Sequence, residues 1–341
     1  MQTGSAIFCV KLIFTVMLLI LLPAALATGK QYKIATVAWI GWSPLHVAME
    51  KGFWDELDLD VKVMNYDDPI IILEAIKAKK IDFAMDMVGS LVGVYMKGEP
   101  VVAIAETNWS HGGDKIVVRK GDRLKNNIGN IIGVFLDQPS CLFFLGQYLK
   151  DVNLRLSHFR IVEINARDLS AQFIAKRLPA IVNYEPWVGE AVTKGKGVIL
   201  ATSADYRGCI PECLWAYRPT VEDTPSEDIH NLLKGWINAV LWLKNPENRN
   251  EFFEILRKQT FKDIKGIKDE HIAKMLKEVR IHSLPDLKER NENMGGLFRY
   301  LTSLKSFLEK ENRLEKDFLP KTIFKNQYIM HVLEKDCENE E

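Results

Sequence analysis

The chain has no net charge, few cysteines and few long apolar runs, and each shortage excludes a class of protein. Its 45 Lys and Arg residues balance 45 Asp and Glu residues, so the formal net charge is zero. Without a basic excess or a basic run, the chain lacks the electrostatic signature of nucleic-acid binding. Beyond the N-terminal segment, no apolar stretch is long enough to predict a transmembrane helix. The sequence therefore predicts a globular protein that binds no nucleic acid.

Motifs of the common enzyme classes are missing as well. The chain has no Gly-rich phosphate loop, no His-Glu-x-x-His and no Gly-x-Ser-x-Gly. Cys209 and Cys213 have no neighbouring histidines, which argues against a zinc site. In an oxidising compartment these two cysteines could form a disulfide or remain free. Cys141 lies among apolar residues and is expected in the core. We therefore predict no cofactor and no metal.

Residues 1–27 are expected to form a cleavable secretory signal peptide. Lys11 precedes an apolar run over Leu12–Leu22, and the small-residue sequence Ala25–Ala27 resembles a cleavage site. The run is short for a transmembrane helix, although an uncleaved anchor is the alternative interpretation. This segment predicts that the mature protein resides in the periplasm.

Strand and helix patterns alternate through the first two thirds of the chain. A first series has predicted strands over Tyr32–Ala38, Val61–Tyr66, Ile81–Met85 and Val101–Glu106. A second series begins at Lys115–Arg119 and continues to about Leu200. Such alternation predicts an α/β fold with parallel sheets covered by helices. From about Ser226 onwards the pattern is purely helical.

The two series predict two lobes joined by two crossings, near Asn108–Gly113 and Ser203–Pro211. Lobe 1 would comprise residues 28–108 and 212–341, with the C-terminal helices, and lobe 2 would comprise residues 109–211. This arrangement is a clamshell in which strand ends from both lobes face one cleft. The long, charged C-terminal helical extension, from about Lys262, could dock a partner or wrap lobe 1.

The stretch that follows the first strand is the strongest indication of a ligand site. Trp39, Gly41 and Trp42 are followed at once by Ser43–Pro44 and an amphipathic helix. Two indole rings and a helix N-terminus thus meet at the carboxyl end of a strand, where open α/β sheets bind ligands. The alternative is that one or both tryptophans belong to the core.

Four motifs together resemble periplasmic substrate-binding proteins of ABC importers, in the nitrate/sulfonate/taurine family whose branch includes pyrimidine-precursor binders. They are Trp39–Leu45, Ala75–Ala84, Ser110–Arg119 and Asn183–Trp187. The resemblance implies a periplasmic-binding-protein type II clamshell that captures a small solute for an ABC transporter permease, without enzymatic activity. We also expect a monomer. Arg177–Val182 departs from the family's Gly-x-Val-Asp-Ala pattern, which leaves ligand contacts in that lobe open.

Candidate ligand contacts are residues that follow strands or open helices. They are Trp39, Gly41, Trp42, Asp67, Asp68, Asp86, Met87, Ser90, Asn108, Trp109, Asp114, Gln138, Ser140, Asn165 and Glu185. Asp68 and Ser140 could instead cap helices, Gly41 could serve only a turn, and Glu185 could only mark a helix start.

Carboxyl groups outnumber basic residues among these candidates, and the nearest basic residue is Lys115. Carboxylates with indole faces favour a nitrogenous solute that is neutral or cationic. Helix N-termini keep a sulfonate or nitrate possible. An enzyme of pyrimidine-precursor or related metabolism on the same scaffold, or an extracytoplasmic sensor, is the alternative function.

Overall fold

The computed structural model describes residues 30–67, 69–135, 139–264 and 266–338. Apart from Lys30, these residues belong to one compact unit. The expected signal peptide, residues 1–27, lies outside the described residues, as do the candidate contacts Asp68 and Gln138.

Strands of the described residues form two separate sheets. They are β1 (Tyr32–Thr36), β2 (Val61–Asn65), β3 (Phe83–Met87), β4 (Val101–Ser110), β5 (Asp114–Arg119), β6 (Ile131–Phe135), β7 (Arg160–Ile164), β8 (Ala180–Tyr184), β9 (Gly197–Thr202), β10 (Pro211–Tyr217) and β11 (Val279–Ile281). The first sheet has the order β11-β4-β10-β3-β1-β2, and the second has the order β7-β6-β8-β5-β9.

Helices cover both sheets. They are α1 (Pro44–Glu50), α2 (Pro69–Lys77), α3 (Val88–Met96), α4 (Pro139–Asp151), α5 (Ala166–Ile174), α6 (Trp187–Thr193), α7 (Arg218–Asp223), α8 (Ser226–Leu243), α9 (Arg249–Ile255), α10 (Asp269–Lys277), α11 (Leu284–Asn291), α12 (Gly296–Lys310), α13 (Pro320–Ile323) and α14 (Gln327–Glu338). The predicted α/β class with two lobes is confirmed.

Three expectations about the strands were wrong. The sheets are mixed and not purely parallel, because β10 runs antiparallel to β3 and β4, and β5 runs antiparallel to β8 and β9. The region after Ser226 is not purely helical, since β11 pairs with β4. Strand β4 continues to Ser110, so Asn108 and Trp109 lie within it and not after it. Three-residue β11 is too short to show an alternating pattern.

Buried apolar side chains form two clusters, one on each sheet. The first draws on residues 32–105 and 213–333. The second draws on residues 116–210, with Met87 from the first sheet joining it. We refer to each sheet with its helices as lobe 1 and lobe 2. The predicted residue bounds of the lobes, 28–108 with 212–341 and 109–211, remain a proposal.

Helix α12, within the C-terminal extension, contacts both clusters of buried apolar side chains. Leu297, Leu301 and Leu304 are buried in the cluster of lobe 1. Further along the same helix, the Phe307 ring packs against Phe143 of α4, with ring centroids 5.4 Å apart. The Tyr300 hydroxyl lies 2.7 Å from Ser140 Oγ, also in α4. Of the two expectations for this extension, packing on lobe 1 is the one that the structure supports.

Three cysteines with described side chains, Cys141, Cys209 and Cys213, are buried free thiols. The open question of a Cys209–Cys213 disulfide is therefore answered in the negative, and the core position expected for Cys141 is confirmed. No helix within the described ranges combines the length and apolarity that a membrane span requires.

Glu106 organises a buried polar cluster next to the first crossing between the sheets. Its carboxylate is fully buried and accepts hydrogen bonds from Arg290 Nε and Nη2 at 2.8 and 2.9 Å. The same carboxylate lies 3.0 Å from His282 Nε2. The Trp109 ring packs on this cluster, 5.1 Å from the Arg290 guanidinium and 5.6 Å from that of Arg207. The cluster fixes the end of β4, which leads into lobe 2.

Replacing Glu106 is expected to destabilise the protein strongly. E106A leaves the Arg290 guanidinium without its counter-ion in a buried setting, which costs about 3–5 kcal/mol. Chemical denaturation followed by circular dichroism measures this loss. E289A provides the control, because the Glu289–Arg299 pair is exposed and such pairs contribute about 0–1 kcal/mol. Equal losses for the two variants would contradict the assignment.

Candidate ligand-binding site

Strand ends from both sheets enclose a small cavity, which we call the inner cavity. Lobe 1 contributes residues after β1, at the end of β3 and at the start of β10, and lobe 2 contributes the start of β5 and the ends of β6 and β8. The described lining residues are Val37, Trp39, Trp42, Asp86, Met87, Asp114, Phe135, Tyr184 and Glu212. The volume open to the centre of a water molecule is about 20 Å³, room for roughly one water-sized group.

The turn after β1 places both indoles in this cavity. Trp39 is extended, and residues Ile40–Trp42 then form one 3-10 turn that leads into α1. Gly41 is required in this turn, since a Cβ at that position would collide with the side chains of Trp39 and Asn108. Trp39 and Trp42 are both buried. Trp39 also meets Tyr184 of the other lobe edge to face, with ring centroids 6.1 Å apart.

Glu212 anchors the lobe 1 side of the cavity. Its Oε2 accepts a hydrogen bond from Trp39 Nε1 at 2.7 Å and another from Asn108 Nδ2. Burial raises the pKa of the Glu212 carboxyl to about 8, against the lowering effect of these donors. Trp42 lies near enough to lower the same pKa slightly, but its buried Nε1 makes no hydrogen bond of normal geometry.

Asp86 and Asp114 face the same cavity from opposite lobes. Burial raises the pKa of Asp86 to about 7, although its Oδ1 accepts hydrogen bonds from Met87 N at 2.7 Å and Ser90 Oγ at 2.8 Å. Burial likewise raises the pKa of Asp114 to about 6, opposed by Ser110 and Lys115. Among the described lining residues there is no Lys, Arg or His. The inner cavity is therefore acidic and has no internal counter-ion in the described part of its wall.

Lys115, the basic residue next to Asp114 in sequence, belongs to a different cluster. Successive residues of a strand point to opposite faces, so Lys115 points away from the cavity that its neighbour Asp114 lines. Its Nζ lies 3.2 Å from Glu185 Oε1 and 3.1 Å from Glu278 Oε2, with almost no exposure to solvent. Lys115 is thus neutralised by two carboxylates, and Glu185 belongs to this ion-pair cluster and not to the cavity lining.

The N-terminus of helix α3 is already occupied by protein groups. Asp86 accepts the Met87 N–H, and Gly89 N donates to Ser140 Oγ of lobe 2 at 3.0 Å. Gly89 allows this approach, because a Cβ there would lie within 2.2 Å of Ser140 N and Oγ. Two of the N–H groups at this helix end are therefore already hydrogen-bonded to protein side chains.

The structure brings together five of the predicted contacts and spreads the others. Those that line the inner cavity are Trp39, Trp42, Asp86, Met87 and Asp114. Asp67 and Asn165 line a neighbouring pocket.

The six remaining described contacts line neither of these two pockets. Gly41, Ser90 and Asn108 form a layer behind it, in contact with or hydrogen-bonded to its carboxyl groups. Ser140 lies at the seam between the lobes, Trp109 at the Glu106 cluster and Glu185 at Lys115. A ligand-contacting role for any of the predicted residues remains a prediction.

Sequence reasoning missed Glu212, Tyr184, Phe135 and Val37. Glu212 was overlooked because β10 runs antiparallel to its neighbours, so that its first residues reach the cavity edge. Phe135 and Tyr184 are the last residues of their strands, whereas the predicted contacts are residues that follow a strand. A search for carboxyl groups at both ends of each strand would have found Glu212.

Removing the Glu212 charge is expected to stabilise the ligand-free protein at alkaline pH. Because the pKa is raised to about 8, folding favours the protonated carboxyl. This contribution is complete below the unfolded-state pKa and is lost as the pH rises towards 8. E212Q retains an oxygen acceptor for Trp39 and should increase the free energy of unfolding at pH 8 by on the order of 2–4 kcal/mol.

Urea denaturation at pH 5 and pH 8 measures this effect. The difference between E212Q and the parent protein should be small at pH 5 and large at pH 8. The exposed carboxyl of Glu254 provides the control, and E254Q should follow the parent protein at both pH values. A smaller free energy of unfolding for E212Q at pH 8 would contradict the burial of an uncompensated charge.

Solved structures with the periplasmic-binding-protein fold are similar to the whole chain. A ligand-binding component of an ABC-type import system from Staphylococcus aureus, with zinc bound, superposes with a TM-score of 0.71 at 12% identity, covering 89% of this chain and 99% of that chain. The alkanesulfonate-binding protein SsuA from Xanthomonas axonopodis pv. citri, bound to MOPS, superposes with a TM-score of 0.67 at 14% identity. The match covers 86% of this chain and 98% of that chain.

The periplasmic nitrate-binding protein NrtA from Synechocystis PCC 6803 gives a TM-score of 0.63 at 17% identity, covering 89% of this chain and 88% of that chain. No curated protein is significantly similar to this chain in sequence. The resemblance to periplasmic solute-binding proteins of the nitrate and sulfonate branch is confirmed. The model of the NMT1-like family matches residues 27–257, and the chain therefore belongs to the NMT1-like family.

Proposed function

We propose that the protein is a periplasmic solute-binding protein that captures a small nitrogenous solute, cationic or neutral, and delivers it to the permease of an ABC importer. The observation that carries this proposal is the acidic inner cavity, in which Asp86, Asp114 and Glu212 meet aromatic rings without a basic residue in the described lining. Secretion through the signal peptide 1–27 and a monomeric state are part of the same proposal. The role requires binding and release only, with no catalytic step.

The charge of the cavity supports a cation over an anion. A carboxylate accepts hydrogen bonds from an ammonium or amidinium group, and the faces of Trp39 and Trp42 attract a cation by about 0.5–2 kcal/mol each. A sulfonate or nitrate would meet three carboxyl groups and a helix N-terminus that Asp86 and Ser140 already occupy. The proposed solute therefore differs in charge from the sulfonate and nitrate named for two proteins of the same fold.

The distribution of the carboxyl groups supports an organic cation over a metal ion. Among the described residues, no group of three or more His, Cys, Asp or Glu side chains is arranged to hold a metal ion. The carboxyl groups are instead separated by indole, phenol and phenyl rings. A flat or compact organic cation fills such a space, whereas a bare divalent ion requires several oxygen ligands within about 2.6 Å.

Binding would be coupled to closure of the two lobes. Asp86 and Glu212 belong to lobe 1, and Asp114 and Tyr184 belong to lobe 2. A solute that touches all four favours the closed arrangement by the difference between its affinities for the closed and open forms. The closed form would then be the one that the permease recognises.

The test is a comparison of solute classes by calorimetry and tryptophan fluorescence at pH 8. Protonated amines and aminopyrimidines are expected to bind, and alkanesulfonates and nitrate are not. D86N and E212Q each keep an oxygen acceptor but remove a charge, so each should weaken cation binding at least tenfold, about 1.4 kcal/mol. E254Q should leave affinity unchanged. Binding of sulfonate with no binding of any cation would overturn the proposal.

The same cavity predicts the pH dependence of binding. A bound cation favours ionised carboxyl groups, whose pKa values without a ligand are raised to about 7 for Asp86 and about 8 for Glu212. Cation affinity should therefore fall as the pH decreases from 8 to 6, and binding near pH 7 should release protons. Calorimetry in two buffers with different ionisation enthalpies measures this release. A cation affinity that is constant between pH 6 and 8 would contradict the burial of these carboxyl groups.

A further inference from the structure

A second, larger pocket, which we call the outer pocket, adjoins the inner cavity. The two share the rings of Phe135 and Tyr184, whose centroids are 5.3 Å apart in an edge-to-face arrangement. The outer pocket has a volume of about 290 Å³, against about 20 Å³ for the inner cavity. A group the size of an ammonium fits the inner cavity, so most of a bound solute would extend past these two rings.

The outer pocket, like the inner cavity, is formed by both lobes. Asp67 follows β2 on the lobe 1 side. Asn165 and Arg167 lie at the start of α5, and Trp187 begins α6, on the lobe 2 side. Closure of the lobes therefore assembles the two pockets together, and one elongated solute would contact both.

Arg167 gives the outer pocket a charge that the inner cavity lacks. Its guanidinium stacks over the Trp187 indole, with the Cζ atom 5.0 Å from the ring centroid. It forms no ion pair with any residue in the part of the chain that the structure describes. Stacking orients the planar guanidinium and leaves its N–H groups for a carboxylate or phosphate, which they bind in pairs.

Neither acidic residue of the outer pocket, as described, forms an ion pair with this arginine. Asp168 is engaged with Asn165, whose Nδ2 donates to Asp168 Oδ2 at 2.7 Å and whose Oδ1 accepts from Asp168 N at 2.9 Å. Asp67 lies on the opposite wall, and because both it and Arg167 are exposed, solvent and salt weaken the interaction between their charges. The guanidinium of Arg167 is thus the cationic group of this pocket among the described residues.

We propose that the outer pocket is a second subsite for the same solute, in which Arg167 binds an anionic oxygen group, a carboxylate or a phosphate, at the far end of a cationic head. The inference rests on the proposed function, because the head is the group that the inner cavity holds. It narrows the solute to an amphoteric class, in which a positively charged nitrogen and an anionic oxygen group lie at opposite ends of a compact, flat framework.

The test compares benzylamine with 4-(aminomethyl)benzoate, which carries a carboxylate on the far side of the same ring. Dissociation constants are measured by calorimetry at pH 8 for the full chain. The parent protein should bind the carboxylate compound at least tenfold more tightly than benzylamine. In R167A this ratio should fall below threefold while the affinity for benzylamine stays unchanged. R167K, which keeps the charge but not the paired N–H groups, should give an intermediate ratio.

D67N is the matched control on the opposite wall, and it should keep or increase the preference for the carboxylate compound. Equal affinities of the parent protein for the two compounds would overturn the outer subsite and leave the proposed function intact. A loss of both affinities in R167A would also overturn it, since the arginine would then act on the fold. Failure of benzylamine to bind at all would contradict the cationic site itself, and the outer subsite with it.

Discussion

Three carboxyl groups held out of water between two sheets are the constraint around which this protein is organised. Isolated buried charges are costly, and a protein either pairs them or keeps them protonated. Here Glu212 is held by Trp39 and Asn108, and Asp86 by the start of α3, yet the pKa values of both stay high. The groups that hold these carboxyls in place do not neutralise them. A cationic solute would supply the positive charge that these carboxyl groups lack.

This chain shares its fold with sulfonate- and nitrate-binding proteins, but a shared fold does not determine which residues line the cleft. Two αβ lobes joined by crossings provide a cleft, and the residues at the strand ends determine what enters it. In this chain the helix end that could face an anion is occupied by Asp86 and by Ser140 from the opposite lobe. Lys115, the neighbour of Asp114 in β5, is held between Glu185 and Glu278. On this architecture, the described lining of the inner cavity contains three carboxyl groups and no basic side chain.

Much of the architecture could be predicted from the sequence, because strand and helix periodicities are local properties. The position of Trp39 and Trp42 at a cleft followed from one strand and one turn, and Asp86 from the end of another strand. The direction of β10 could not be obtained that way, since an antiparallel return strand has the same alternating pattern as a parallel one. Glu212 was therefore missed, although burial raises its pKa to about 8.

Other residues were misplaced because their partners are distant in sequence. Trp109 and Glu185 satisfy the local rule for a ligand contact, since each lies near the end of a predicted strand. Trp109 instead packs on Arg290, and Glu185 pairs with Lys115. Only the three-dimensional arrangement shows that a helix from the last quarter of the chain supplies Arg290.

Helix α12 shows that the part of the chain matched by the family model lacks a share of the hydrophobic interior. The family match ends at residue 257, whereas Leu301 and Leu304 complete the interior of lobe 1 and Phe307 covers Gly146 of lobe 2. A fragment cut at the end of the match would expose both hydrophobic interiors to water. Expression fragments and domain boundaries for this protein should accordingly be drawn from the packing of α12 and not from the extent of sequence similarity.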